Sequence, residues 1–278
     1  MIGIEGSFND LRLLITGASG FLGSAIVQKF PVKFRQNTEV LLWDQVVHGS
    51  LLSQKSRDTY LDEHQPDSVL HLAWQSTRSP NYEMNPAHHD WSSATIDFAT
   101  ECSKRGIWFL CAGSAIDERR SSSNHLASSN YLKSKQLLRD YFEAELQSQT
   151  KLTWLQIQYV FAISALRPRL LRAIVECHSP RDFQPDNPES LHDFIHADDV
   201  ASAITSVVSQ RITGRVPIGT GLLISVADFV EAVKFQCGYR ETRPTVTLTK
   251  SITTGNVLRL RNWSPIASYR FLGVEASE

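Results

Sequence analysis

The sequence has few cysteines, and no two of them are close enough to form a Cys-x-x-Cys metal or redox motif. The four are Cys102, Cys111, Cys177 and Cys237 in a chain of 278 residues. Small secreted domains that depend on disulfides are much richer in cysteine, so this spacing indicates no disulfide framework. We therefore expect a reducing, cytoplasmic setting and no cysteine-based metal site.

A strong charge of one sign and a long apolar run are also absent. Lys and Arg number 28 and Asp and Glu number 29, which gives a net charge of −1. This balance provides no basic field of the kind that collects on nucleic acid. No apolar run reaches the ~18 residues that a membrane span requires, and the first residues lack a secretory pattern. We expect neither nucleic acid nor a membrane as a partner.

The most informative stretch is LRLLITGASGFLGSAIVQKF, residues 11–30. Its apolar start predicts a buried strand, and the part from Phe21 onward has apolar residues at helical spacing. The turn between them contains Gly17, Gly20 and Gly23. A turn into a helix N-terminus presents unpaired N–H groups, and glycine lets a pyrophosphate approach that backbone. The order predicts a dinucleotide site; the alternative is a tight turn without a ligand.

A second predicted strand, TEVLLWDQ, leads into Asp44. A carboxylate at this distance beyond the glycine turn can accept hydrogen bonds from the adenosine ribose hydroxyls. It would repel a 2′-phosphate, and no Arg or Lys adjoins it in the sequence. Asp44 therefore favours NAD slightly over NADP; the alternative is a solvated carboxylate at a strand end.

The stretch NYLKSKQLLRDYF places Tyr131 and Lys135 four residues apart, on one face of a predicted helix. Free tyrosine has a pKa of about 10, which is high for a base at neutral pH, and a nearby cation lowers it. A buried strand predicted at Ile107–Ala112 leads into Ser114. The spacing alone is also compatible with a core tyrosine beside a solvated lysine.

These motifs resemble those of the extended short-chain dehydrogenase/reductases, in the branch of NAD-dependent epimerases and dehydratases that modifies nucleotide sugars. TGASGFLG has the family's glycine spacing, and HLA in PDSVLHLAW matches the end of its fourth strand. LHDFIHADDVA and IGTG match two motifs of its second half. The resemblance covers most of residues 11–235.

The resemblance implies an α/β fold with a Rossmann-like, doubly wound parallel sheet and a small mixed substrate-binding lobe near the C-terminus. The dinucleotide-binding domain would span residues 1–165, with residues 190–215 returning to it. The lobe would comprise residues 166–189 and 216–278. The family also implies a homodimer that forms through the Tyr131 helix and the helix before it.

The resemblance further implies a Ser-Tyr-Lys active site. Tyr131 would exchange a proton with the substrate oxygen while hydride moves at the carbon that bears it. Lys135 would lower the pKa of Tyr131 and donate to the nicotinamide ribose, and Ser114 would hold the substrate oxygen. The expected cofactor-binding residues are Gly17, Ser19, Gly20, Phe21, Leu22, Gly23, Asp44, Leu72, Ala73, Trp74, Tyr131 and Lys135.

The expected substrate is a nucleotide-diphosphate sugar. Guanidinium groups match phosphate oxygens, which favours the basic run RPRLLR as a contact, although a solvated helix face is the alternative. The expected substrate-binding residues are Ser114, Ala115, Arg167, Arg169, Arg172 and His192. Arg259 and Arg261 are weaker candidates.

Three departures from the family pattern stand out. The Tyr-Gly that often follows the catalytic serine is replaced by a stretch that includes Asp117 and Glu118. Two residues separate this acidic pair from Ser114, which disfavours dehydratase chemistry. HHDWSSATIDF lacks the asparagine of the family's proton relay, so we expect either altered turnover or a relay through Ser92 or Ser93. The C-terminal segment is shortened.

The function expected on these grounds is NAD(P)-dependent oxidation or reduction of a secondary alcohol or ketone on a nucleotide-activated sugar. A 4-keto-6-deoxysugar reductase or a 4-epimerase fits best. Two alternatives stay open: a reductase of a non-sugar carbonyl compound, and an NAD(P)-binding sensor or scaffold with little turnover.

Overall fold

A computed structural model describes residues 11–30, 38–75, 81–114, 129–146, 151–164, 169–250 and 263–273. The chain forms two compact units. The first unit consists of Met1–Leu155 and Ile212–Arg215, and the second of Gln156–Arg211 and Val216–Glu278. Among the residues described, no helix combines the length and apolar character that a membrane crossing needs.

Strands and helices alternate along the first unit. In chain order they are β1 (Leu11–Thr16), α1 (Phe21–Lys29), β2 (Thr38–Leu42), α2 (Gln45–His48), α3 (Gln54–His64), β3 (Ser68–His71), a 3₁₀ turn (Tyr82–Met84), α4 (Ala87–Lys104), β4 (Trp108–Ser114), α5 (Asn130–Glu145) and β5 (Leu152–Ile157), whose last two residues belong to the second unit.

The central sheet has six strands in the order β2-β1-β3-β4-β5-β9, where β9 is Gly214–Ile218. The pairings of β1 with β2, β1 with β3 and β3 with β4 are parallel. Parallel strands are covered on both faces, which explains why Leu13, Leu14 and Ile15 of β1 are fully buried. The predicted Rossmann-like parallel α/β fold is confirmed.

The strand order reverses between β1 and β3, because β2 lies on one side of β1 and β3 on the other. In open α/β sheets, ligands bind beyond the carboxyl ends of the strands at this switch point. The predicted glycine turn follows β1, and the predicted Leu72–Trp74 segment follows β3. Both therefore stand at the position where the topology favours a ligand.

Short strands and helices build the second unit. In chain order they are β6 (Tyr159–Phe161), α6 (Arg169–Val175), a 3₁₀ turn (Pro180–Asp182), β7 (Leu191–His192), β8 (Phe194–His196), α7 (Ala197–Ser209), β10 (Leu222–Ser225), α8 (Val226–Gln236), β11 (Thr249–Lys250) and α9 (Ile266–Leu272). β6 pairs in parallel with β8, and β11, β10 and β7 form an antiparallel sheet.

This division differs from the predicted domains in the placement of residues 156–164 and 190–211. We expected both segments in the dinucleotide-binding domain, whereas they cluster with the second unit. The pairing of β6 with β8 joins the two segments to each other. The aromatic core of the second unit adds to this, since Phe194 of β8 stacks on Phe229 of α8 at 3.9 Å between ring centroids.

A buried carboxylate joins α7 to α9 within the second unit. Asp199, 4% exposed, accepts hydrogen bonds from Ala267 N at 3.0 Å and Ser268 N at 2.6 Å, and from Ser268 Oγ. These N–H groups belong to the first turn of α9, which has no intrahelical acceptor for them. Asp199 therefore caps α9 from a distance of almost seventy residues in sequence.

We expect Asp199→Ala to lower the free energy of unfolding by about 2–4 kcal/mol, because it leaves buried donors without an acceptor. Asp198→Ala is the matched control, since its side chain is 40% exposed, and should cost about 1 kcal/mol or less. Urea denaturation of both variants measures the difference. Equal losses would show that Asp199 does not anchor α9.

Candidate active site

The glycine turn after β1 is packed against the residues that follow β3. Gly17 has φ +72°, a conformation that favours glycine. A Cβ at Gly17 would lie 2.7 Å from Ala73 N and 2.9 Å from the carbonyl carbon of Leu72. A Cβ at Gly23 would collide with the carbonyl oxygen of Gly17. Glycine is thus required by the close approach of strand, turn and helix.

The first turn of α1 is suited to an anion. Gly20 is its N-cap, no side chain among the described residues caps the helix, and its first turn contains no acidic residue. Ser19 and Gly20 are exposed, and Phe21 and Leu22 are half-buried. Backbone N–H groups at such a helix start, together with the helix dipole, attract phosphate.

A chain of hydrogen bonds fixes the backbone opposite Gly17. Ala73 N–H donates to Thr16 Oγ1 at 3.3 Å, and Thr16 Oγ1 lies 2.8 Å from His71 Nδ1. His71 Nε2 lies 3.1 Å from Thr95 Oγ1 of α4. Because Thr95 donates its own proton to the carbonyl of Trp91 at 2.7 Å, it accepts from His71.

These bonds assign one tautomer to His71, with the proton on Nε2 and the lone pair of Nδ1 facing the Thr16 hydroxyl. The side chain is 4% exposed and lies against Phe98 and Phe109. Burial, with the nearby charges of Lys135 and Arg57, lowers the pKa of His71 to about 3. The neutral ring therefore holds Ala73 in place throughout the physiological pH range.

The proposed catalytic residues end β4 and begin α5. Ser114 is the last residue of β4, and Tyr131 and Lys135 lie in the first turns of α5, which Ser129 caps by accepting from Leu132 N. Lys135 is 7% exposed. Its ammonium lies on the ring of Trp74, three residues beyond the end of β3, and its charge acts on His71 of β3 and on Cys111 in the middle of β4.

The ammonium of Lys135 lies 3.5 Å from the ring centroid of Trp74. This is a cation–π contact, in which the negative face of the indole partly replaces the water that the buried ammonium has lost. The position of Trp74 after HLA was predicted from the resemblance to line the cofactor. Its contact with Lys135 was not predicted.

Trp74 belongs to an aromatic cluster that it forms with Tyr82, His88 and Tyr131. Trp74 Nε1 donates to His88 Nδ1 at 3.1 Å, and the two rings stack at an angle of 15°. His88 Nε2 lies 2.6 Å from the carbonyl oxygen of Tyr82. The ring of Tyr131 lies 5.3 Å from those of both Tyr82 and His88.

Burial governs the titration of this aromatic cluster. It lowers the pKa of His88, which is completely buried. It raises the pKa of the Tyr82 phenol, and the negative charge that Tyr131 and Glu83 can carry adds to that increase. At neutral pH, His88 is therefore neutral and Tyr82 protonated. His88 then accepts through Nδ1 and donates through Nε2, which satisfies both of its contacts.

Tyr82 and His88 are the residues that the sequence predictions missed. The predictions looked for an asparagine in this region and considered serines in its place. Ser92 is buried and donates to the carbonyl of His89 at 2.9 Å, and Ser93 is exposed. The density of rings in NYEMNPAHHDW was the available signal. A relay role for either serine stays a prediction.

Asp44 lies two residues beyond the end of β2, close to the strand end at which it was predicted. Its Oδ1 accepts from Val46 N at 2.8 Å and so caps the short helix α2. Its own N–H donates to His48 Nδ1 at 2.9 Å. The carboxylate is exposed at the end of the strand, which leaves its predicted contact with the adenosine ribose open to test.

Apart from Ser114, the residues predicted to bind the substrate lie partly on α6 and β7 and partly outside the described residues. Arg172 of α6 lies 3.8 Å from Glu176 and is 46% exposed. His192 of β7 packs on Tyr159 at 4.2 Å between ring centroids. Arg169 is the first residue of α6. Outside the described residues lie Ala115, Asp117, Glu118, Arg167, Arg259 and Arg261.

Comparison with known proteins gives one family. The model of the NAD-dependent epimerase/dehydratase family matches residues 13–219. No curated protein matches the sequence significantly.

Solved structures with this fold include reductases and an epimerase of nucleotide sugars. A dTDP-4-dehydrorhamnose reductase from Clostridium acetobutylicum has a TM-score of 0.63 at 15% identity, over 82% of this chain and 81% of that chain. UDP-glucose 4-epimerase from Thermus thermophilus, solved with NAD, has a TM-score of 0.62 at 18% identity, over 85% of this chain and 86% of that chain. A GDP-mannoheptose C4 reductase from Campylobacter jejuni, solved with NADP, has a TM-score of 0.66 at 15% identity, over 84% of this chain and 86% of that chain.

The pKa of His71 predicts how stability depends on pH. The folded protein does not protonate His71 until about pH 3, whereas the unfolded chain does so near pH ~6.5. The contribution of His71 is complete above the unfolded pKa and is lost as the pH falls from there toward 3. Between pH 7 and 5, the wild type should lose about 2 kcal/mol more than His71→Gln.

Urea unfolding at both pH values measures this, and His89→Gln, which changes an exposed neighbour of the network, serves as the control. Equal pH dependence in the wild type and His71→Gln would contradict a neutral, hydrogen-bonded His71.

Proposed function

We propose a function on one premise, which is that the chain belongs to the NAD-dependent epimerase/dehydratase family. In our proposal it oxidises or reduces a secondary alcohol or ketone of a nucleotide-activated sugar, as a 4-keto-6-deoxysugar reductase or a 4-epimerase. The observation that carries it is the buried Lys135 one helical turn beyond Tyr131, whose ammonium lies on Trp74 just beyond the end of β3.

The residues at the switch point fit a dinucleotide. Gly17 and Gly23 let the turn pack against the neighbouring backbone, where a Cβ at either position would clash, and the first turn of α1 offers backbone N–H groups. The exposed Asp44 suits the adenosine ribose hydroxyls and so favours NAD slightly over NADP. The residues proposed to hold the cofactor are Gly17, Ser19, Gly20, Phe21, Leu22, Gly23, Asp44, Leu72, Ala73, Trp74, Tyr131 and Lys135.

When bound, the nicotinamide supplies or accepts the hydride at the carbinol carbon. The protein has to move the accompanying proton. Tyr131 gives its phenolic proton to the substrate oxygen in reduction and takes it back in oxidation. The positive charge of Lys135 favours the phenolate and so brings the pKa of Tyr131 closer to neutrality.

Ser114 completes the site in this proposal. Its hydroxyl, at the end of β4, would donate to the substrate oxygen and hold the reacting carbon against the nicotinamide. The remaining contacts proposed for the diphosphate sugar are Ala115, Arg167, Arg169, Arg172 and His192, of which the arginines suit the diphosphate.

The comparisons support the class of reaction and leave the individual reaction to experiment. Both reductases and an epimerase share the fold at 15–18% identity. A reductase consumes reduced cofactor in every cycle, whereas an epimerase returns its cofactor to the starting oxidation state. Net consumption of NADH or NADPH with 4-keto-6-deoxy nucleotide sugars therefore separates the two. Interconversion of 4-epimers without consumption would replace the reductase by the epimerase.

We expect Tyr131→Phe to lower kcat by about 10²- to 10⁴-fold, because it removes the proton donor and acceptor while keeping the ring. The matched control is Tyr141→Phe on the same helix, which removes a phenol hydroxyl that hydrogen-bonds to Thr100 at 2.9 Å. Its kcat should stay near that of the wild type. Cofactor consumption with the nucleotide-sugar panel gives kcat, and fluorescence titration gives the Kd for NADH.

Full turnover by Tyr131→Phe would overturn the proposed chemistry. Turnover only with non-sugar ketones would reassign the substrate class. If the wild type binds NADH, turns over neither panel and behaves as Tyr131→Phe does, the protein is an NAD(P)-binding sensor or scaffold.

We also propose that the protein is a homodimer through α4 and α5, as the resemblance implies. These helices pack against each other through the Tyr141–Thr100 hydrogen bond, and Leu137 on α5 is 49% exposed. Light scattering should give twice the chain mass of 31.3 kDa. A mass of 31.3 kDa at micromolar concentration would contradict it.

A further inference from the structure

The lysine that tunes Tyr131 in the proposed function contacts Trp74, which so far has been proposed only to hold the cofactor. The ammonium of Lys135 lies 3.5 Å from the centroid of the Trp74 ring, and the residue is 7% exposed. A lysine ammonium is strongly hydrated and sits on a flexible four-carbon stem. Its position in a nearly dry site therefore depends on what compensates the lost water.

Trp74 is itself held by His88. The indole N–H donates to His88 Nδ1 at 3.1 Å, and the two rings are within 15° of parallel, with 6.0 Å between their centroids. His88 in turn donates from Nε2 to the carbonyl oxygen of Tyr82. Only the tautomer with the proton on Nε2 satisfies both contacts.

The same histidine also contacts the proposed acid–base residue. The ring of Tyr131 lies edge-on to the ring of His88, with 5.3 Å between the centroids. The ring of Tyr82 lies at the same distance from the ring of Tyr131. The buried imidazole of His88 thus contacts both the indole of Trp74, on which the ammonium of Lys135 lies, and the ring of Tyr131. Packing alone would be served by an apolar ring in place of either Trp74 or His88.

We propose that Trp74 and His88 are positioning residues. The indole face fixes the ammonium of Lys135 at the distance from Tyr131 at which it lowers the pKa of the phenol, and His88 fixes the indole. This inference rests on the proposed function, because it assigns the tuning of Tyr131 to Lys135. It adds that the tuning depends on an indole that lies outside the Ser-Tyr-Lys group.

Other titratable groups face this site and enter the measurement. His71 of β3, Cys111 of β4 and His88 of α4 feel the charge of Lys135. Tyr82 faces Tyr131 from the 3₁₀ turn. Burial keeps Cys111 a thiol, and it keeps His71 and His88 neutral and Tyr82 protonated at neutral pH. A change in the titration of Tyr131 therefore reports on Lys135.

The test measures the pKa of Tyr131 without turnover. Tyrosine labelled with ¹³C at Cζ gives one NMR signal for each of the seven tyrosines, and Tyr131→Phe identifies the signal of Tyr131. Lysine labelled at Cε reports the ring current of Trp74, with the signal of Lys135 identified by Lys135→Met.

In Trp74→Leu we expect the pKa of Tyr131 to rise by about one pH unit and the Lys135 signal to lose its upfield shift. Lys135→Met should raise the pKa of Tyr131 at least as much. Trp108→Leu is the matched control, since Trp108 is a buried tryptophan bonded to Thr153 at the opposite end of β4, and the pKa of Tyr131 should not change.

The His88 variants test the anchor, and they keep the inference testable if Trp74→Leu does not fold. His88→Gln can accept from the indole and donate to the Tyr82 carbonyl, so the pKa of Tyr131 should stay near the wild-type value. His88→Leu can do neither, so that pKa should rise.

Two results would overturn the inference, and they differ in what they say of the proposed function. If Lys135→Met raises the pKa of Tyr131 while Trp74→Leu and His88→Leu do not, the positioning role fails and the proposed function stands. If Lys135→Met leaves that pKa unchanged, Lys135 does not tune Tyr131, and both fail.

Discussion

A lysine ammonium held almost out of water is the constraint on which the candidate site depends. Lys135 is 7% exposed, and its ammonium lies on Trp74, just beyond the end of β3. A buried cation is stable only where its surroundings compensate the lost hydration, and here the face of Trp74 does so in part. In the proposed function, the same charge makes the neighbouring phenol of Tyr131 a usable acid and base.

The surrounding backbone is fixed by groups that do not titrate near neutral pH. Gly17 approaches Ala73 so closely that no side chain fits between them. The neutral His71 links the Thr16 hydroxyl, which holds Ala73, to Thr95 of α4. The neutral His88 accepts a hydrogen bond from the indole of Trp74 and so holds that side chain. Burial thus keeps two histidines neutral as hydrogen-bonding partners, and in the proposed function Tyr131 and Lys135 are the pair whose charge matters.

The sequence was sufficient for features that depend on local spacing. The glycine turn, the strand that ends in Ser114 and the helix with Tyr131 and Lys135 were predicted because period and turn chemistry specify them. The roles of Tyr82 and His88 were not, since their contacts with Tyr131 and Trp74 join segments that are apart in the chain. The placement of residues 156–164 and 190–211 also differed, because the pairing of β6 with β8 and the stacking of Phe194 on Phe229 join them to the second unit, and no local pattern encodes these contacts.

The central claim is that hydride moves between a nicotinamide and a sugar carbon at the switch point of the sheet. The most direct measurement is a single-turnover experiment in which the protein with bound NAD(P) is mixed with nucleotide sugars and the absorbance of reduced nicotinamide is followed. The account predicts that this absorbance changes at the rate of product formation, and more slowly when carbon 4 of the sugar or of the reduced nicotinamide carries deuterium. Product formation with neither a change in this absorbance nor a slower rate on deuteration would contradict it.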